Sequence, residues 1–213
     1  MYDWVKMDKF TIQEILERVR TGICKNMVKM FEGIDETPRI KIIEEFGWDN
    51  KTCQKISRKG EVYLLRYAHD NGCPWSKYTC EVATHNGHLE CLRYSHENGC
   101  PWDRWTCTNA SATGHLECLK YAHENGCDVN EGAPYVAAWS GHLECLKYLH
   151  KIGCSWYEET CEYASFGGHL ECLKYALENE CPINRKKCLR VARGECKQYL
   201  KSLSAKTRKL RRK

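Results

Sequence analysis

The sequence predicts an all-α, right-handed helical solenoid of helix pairs without β-hairpins, and three observations predict it. Gly-His-Leu-Glu-Cys-Leu occurs at 87–92, 114–119, 141–146 and 168–173, a period of 27 residues. Each period carries two sets of helix start and stop signals. Residues 89, 91, 92, 94 and 95 form one apolar or small-residue stripe of helical spacing, too narrow to bury alone, so neighbouring units must complete the core.

The elements follow in order. Residues 1–46 read as an N-terminal helical cap: Thr11-x-x-Glu14 is a capping box ahead of Ile12, Ile15, Leu16 and Val19, and Thr37-Pro38 opens a second helix before Ile40, Ile42 and Ile43. The repeat array spans 47–203, with a half-unit at 47–59, units at 60–86, 87–113, 114–140, 141–167 and 168–193, and a C-terminal cap at 194–203. Within a unit, a column holding Asp49, Ser76, Asp103, Asn130, Tyr157 and Asn184 starts the first helix, since five of the six accept from the free amides of a first turn. That helix stops at Gly60, Gly87, Gly114, Gly141 or Gly168. Leu-Glu-Cys-Leu opens the second helix, and Asn-Gly closes it at 71–72, 98–99 and 125–126. For the second unit these signals give helices at about 76–85 and 88–98. Residues 204–213 are a basic tail.

These residues carry a family resemblance. Thr79-Cys80, Ala83, Gly87-His88, Glu90 and Gly99 are similar to the ankyrin repeat's Thr-Pro-Leu-His, Ala-Ala, Gly-His-x-Glu-Val-Val and closing Gly-Ala. Asp128-Val129-Asn130 and Ala137-Ala138-Trp139-Ser140-Gly141-His142 are closer still. An ankyrin unit has about 33 residues, and the six missing here fall where an ankyrin places its β-hairpin. The chain therefore resembles a short ankyrin-like variant, similar to the Cys-Pro-Trp repeats abundant in large DNA viruses and protists. The resemblance implies a protein-interaction scaffold whose first helices line a concave face.

Composition narrows the function. Hydrophobic residues at 42% and charged residues at 29% describe a folded globular chain. No apolar run reaches the roughly 18 residues of a membrane helix, and Asp3, Lys6, Asp8 and Lys9 occupy a start where an export signal would be apolar. The expected location is intracellular, cytoplasm or nucleus, of a host cell if the chain is viral, with a virion component as an alternative. Sixteen cysteines in such a reducing setting read as small buried hydrophobes replacing ankyrin Val and Ala. Cys91, His96, Cys100 and Cys107 are the best zinc set, but Leu64, Pro134 and Leu177 interrupt the matching columns, so metal and other cofactors are not expected. Cys80 and Cys107, near first-helix starts, are the expected reactive exceptions. His88, His115, His142 and His169 read as scaffold bonded to the turn between helices; no nucleophile motif, phosphate loop or carboxylate pair accompanies them, so an enzyme is not expected. Trp48, Trp75, Trp102 and Trp156 keep the period and should pack between neighbours.

Residues that break the period mark the candidate site. Tyr78, Arg104, Trp105, Tyr135, Trp139, Tyr163 and Phe166 lie on or beside first helices, and large aromatics with arginine are what binding hot spots favour. Against this stands the reading that some, Trp139 above all, fill gaps in irregular units. The expected partner is an unidentified protein, the chain alone being a monomer away from membranes. Charge adds an alternative. Pro182 to Lys213 hold 13 basic residues and one acid, Glu195, while the remainder holds 20 basic and 27 acidic residues. Lys206, Arg208, Lys209, Arg211, Arg212 and Lys213 suit an import receptor or nucleic acid, in a tail expected to be mobile by itself.

Overall fold

The computed structural model describes residues 47, 49 and 51–210, with side chains described as far as Leu203. The cap at 1–46, Trp48 and residues 211–213 lie outside the described residues. Among these there are 12 helices and no strand: α1 (Thr52–Lys59), α2 (Val62–Asp70), α3 (Lys77–His85), α4 (Leu89–Glu97), α5 (Arg104–Thr113), α6 (Leu116–Glu124), α7 (Ala133–Ser140), α8 (Leu143–Lys151), α9 (Glu158–Gly167), α10 (Leu170–Glu178), α11 (Arg185–Val191) and α12 (Gly194–Leu210). The helix pair predicted at 76–85 and 88–98 is thus α3 and α4, and no hairpin separates described units. The fold is an all-α helical repeat, its helices odd and even in alternation.

The chain divides into two compact units, the first taking in the described residues up to Ala83 with Glu90–Pro101, the second Thr84–Leu89 with Trp102 onward. In the second, α5, α7, α9 and α11 pack in series as one layer, and α6, α8, α10 and α12 as another. Their core follows the repeat. Leu119, Leu146 and Leu173 are fully buried on successive second helices, as are Ala110, Ala137 and Ala164 on the first helices. In the first unit Ile56, Leu65, Ala68 and Leu92 are fully buried. Of 15 described cysteines, all but Cys154 are buried, which is the packing role their periodicity implies.

The helix ends show where local chemistry decides. Asp103 accepts from the Trp105 amide at 2.9 Å, and Asn184 from the Lys187 amide at 3.2 Å, capping α5 and α11 as expected. Asp49 and Asn130 accept from the amide two residues on, as Asp103 does, but α1 and α7 begin only at Thr52 and Ala133, three residues further along the chain, whereas α5 begins directly after Asp103. Their side chains make a turn ahead of the helix rather than cap it. At the second-helix ends, Asn71, Asn98, Asn125 and Asn179 donate through Nδ2 to the carbonyls of Tyr67, Tyr94, Tyr121 and Tyr175 at 2.8–2.9 Å. Each of these carbonyls also accepts from the same asparagine's backbone amide at 3.1–3.2 Å, so the side chain adds a second bond at the helix end.

Helix α12 continues without a break through Ala205 to Leu210. Lys, Arg, Ala and Leu are all strong helix formers, and the segment is propagated from a helix already docked through Cys196 and Leu200.

Candidate partner-binding site

The joints between successive units come first, because they fix the helices that carry the site. Gly87, Gly114 and Gly141 have φ of 74° to 82°, the left-handed region open to glycine. A Cβ built on each would lie 2.4–2.5 Å from Nδ1 of the next unit's histidine, His115, His142 or His169. Glycine therefore does two tasks, ending the first helix and leaving room for the following imidazole. His142 also donates to the Ala112 carbonyl, and burial holds its pKa below the ordinary histidine value despite that bond. His115, His142 and His169 are thus interlocks of the stack.

A second ladder joins the even helices. His69 meets the Tyr94 hydroxyl at 3.2 Å, His123 that of Tyr148 at 3.0 Å and His150 that of Tyr175 at 3.0 Å. Trp75 stacks on the His69 ring with centroids 3.5 Å apart, and Trp156 lies 4.5 Å from His150. The sequence shows the histidine and tyrosine columns, but the partners sit 25 residues apart, so pairing along one period does not reveal them. The described tryptophans of this column are structural, as their period implies.

With helices fixed this way, the period-breaking aromatics divide by exposure. Tyr78 is 52% exposed on α3, and Lys77 lies over its ring at 5.5 Å. On the second unit, Trp105 and Trp139 are each 48% exposed, and Arg104 is exposed beside Trp105. About half of the Trp139 side chain thus remains open to solvent. Tyr135 and Tyr163 are half-buried and stack on each other with centroids 5.1 Å apart; Trp139 tilts against Tyr163 at 6.1 Å. Phe166, one period after Trp139, is covered by the Arg193 guanidinium at 4.2 Å. The structure thus brings Tyr135, Trp139 and Tyr163 together across α7 and α9, and pairs Phe166 with Arg193, which sequence reading missed. Gly167 belongs to the same patch, since a Cβ there would strike the Trp139 carbonyl at 2.4 Å. Lys206, Arg208 and Lys209 lie on α12.

No three His, Cys, Asp or Glu residues among those described are grouped to hold a metal ion, and no helix there is long and apolar enough to cross a membrane. What the surface offers is planar apolar area with the guanidinium groups of Arg104 and Arg193 beside it.

A repeated pair of helices without strands among the described residues defines an all-α helical repeat protein. Ankyrin repeats, in three copies, match the chain over 80–160 and 107–187, half its length, and it belongs to the ankyrin-repeat family. The crystal structure of the human ASB11 ankyrin repeat domain is similar to it with a TM-score of 0.61 at 17% identity, over 70% of this chain and 82% of that one, a likeness of fold. No curated protein sequence matches the chain. Ankyrin repeats generally mediate protein–protein interaction.

Proposed function

We propose that the chain is a non-enzymatic scaffold that captures a protein partner on its first-helix surface, the concave face in the ankyrin family. The observation that carries this is Trp139, half-exposed yet held in place by Tyr163 and the stacked Tyr135. Exposing an indole in water is unfavourable, so a preorganised one is suited to burial on binding. Trp105 and Arg104 would extend the contact on α5 and Phe166 on α9, with Tyr78 a separate contact on α3. The proposal places the chain as a monomer inside a cell, of a host if the Cys-Pro-Trp kinship with viral repeats holds.

The test is affinity capture with mass spectrometry on the full chain, followed by Trp105→Ala and Trp139→Ala. Hot-spot truncation typically costs about 2 kcal/mol or more, roughly 30-fold in affinity. Capture should fall by that factor with the melting temperature unchanged. Undiminished capture by both variants would place the interface elsewhere.

A further inference from the structure

A second surface adjoins the aromatic one through Arg193, whose guanidinium lies over Phe166. Arg185, Lys186 and Arg190 on α11, Arg193 between the helices, and Lys197 and Lys201 on α12 are all exposed. Lys187, by contrast, is held by Glu162 at 2.6 Å. Helix α12 is docked along Cys196 and Leu200, while Lys197 and Lys201, one turn apart, face solvent. Its 17 residues span about 25 Å at 1.5 Å each, the length of about seven phosphates on one strand of duplex at 3.4 Å spacing.

We infer that α11 and α12 form a binding surface for the phosphate backbone of duplex nucleic acid, read without base preference. The competing polyanions fit less well. The large apolar side chains exposed among the described residues, Tyr78, Trp105, Trp139 and Tyr157, all lie outside α11 and α12. The one aromatic on α11 or α12, Tyr199, is half-buried, and Phe166 lies beneath Arg193. An acidic protein would therefore find no exposed aromatic anchor, a single strand no exposed stacking platform, and a lipid surface no exposed apolar face to insert. Phosphates need only cations at the right density. The acidic remainder of the chain repels nucleic acid, so a duplex is confined to this end.

The test is fluorescence anisotropy of the full chain on a 20-base-pair DNA duplex of arbitrary sequence between 50 and 200 mM salt. Six or more phosphate contacts should weaken binding by about a thousandfold across that range. Arg190→Gln with Lys197→Gln and Lys201→Gln should lower affinity and flatten the slope of log affinity against log salt by roughly 2.7, at 0.9 per contact. The charge-preserving Arg190→Lys, Lys197→Arg and Lys201→Arg chain should keep the slope. Changing the six cations of 206–213 to Gln in the full chain should leave measurable binding. The inference is overturned if the triple Gln variant binds like the parent, if the tail variant loses all binding, or if the charge-preserving variant loses the slope. It is equally overturned if poly-glutamate or phosphatidylserine vesicles compete better than duplex at equal phosphate or carboxylate concentration.

Discussion

Cys107 lies in the first turn of α5, where a helix dipole would favour its thiolate, yet the side chain is fully buried and shares a hydrogen bond with the Cys127 thiol. That bond and burial together push the Cys107 thiol well above the usual cysteine range, and Cys80 is likewise fully buried. The reactivity expected of both from helix position alone is corrected by packing. Cys118, Cys145 and Cys172 are pushed up to about 11, chiefly by burial. With a small alkylating reagent on the native protein, Cys154 should react first among the described cysteines; faster labelling of Cys107, located by peptide mass, would refute this. The histidines give a pH prediction. Burial lowers the folded pKa of His142 and His69 below the ordinary value of 6.5, so folding favours their neutral forms. Stability is then level above about pH 6.5 and declines as pH falls through that value toward the lowered one. The melting temperature should drop between pH 7.5 and 5, and less so in His142→Gln; an equal drop in that variant would remove His142 from the account.

Helix ends offer a comparison of two glycine columns. Gly72, Gly99, Gly126 and Gly153 close the second helices at φ of 80° to 84°, with nothing within 4 Å of a built Cβ. Glu180 occupies the fifth such position at φ 63°, the sole described non-glycine residue with positive φ. A side chain there costs about 1–2 kcal/mol, part of which glycine returns through its freer unfolded state. Glu180→Gly should therefore stabilise by about 0.5–1 kcal/mol in urea unfolding, and Gly126→Ala should destabilise by about 1 kcal/mol. Gly114→Ala belongs to the other column, where the new methyl would meet His142 at 2.4 Å, and its loss should exceed that of Gly126→Ala. Equal effects at Gly114 and Gly126 would show that the imidazole moves aside without penalty. The two glycine columns are visible in sequence as one residue type, while the difference between them rests on a neighbour 28 residues on.

At the scale of the whole molecule, stability in such an array is a sum of units and nearest-neighbour interfaces. Leu146 is fully buried on α8, which packs against both α6 and α10. Leu146→Ala should cost about 2–5 kcal/mol, and native hydrogen exchange should accelerate in α6 and α10 as well as α8. Loss confined to α8 would mean that the units open independently. The fold class, unit length and buried columns were legible in sequence because a repeat states its core several times over. The site was legible only as residue identities. That Trp139 faces water, that Tyr135 stacks on Tyr163, and that Arg193 covers Phe166 depend on neighbouring helices whose variable residues obey no period. The cations of α11 and α12 were visible as net charge, their exposure only once Cys196 and Leu200 fixed the helix.

The histidine seated over the preceding glycine makes each unit a coupler with a socket at one end and a plug at the other. An array joined in this way can be lengthened or shortened by copying or deleting whole 27-residue segments, because every new junction is again glycine under histidine. An insertion of any other length shifts plug from socket and leaves an imidazole without a seat. The series also needs a terminator, and at Gly168 the incoming neighbour is Arg193, whose Cβ stands 3.7 Å away instead of an imidazole. Duplication of a whole segment would therefore regenerate the glycine–histidine joint in the middle of the array, whereas after α10 the joint at Gly168 is made with Arg193 instead.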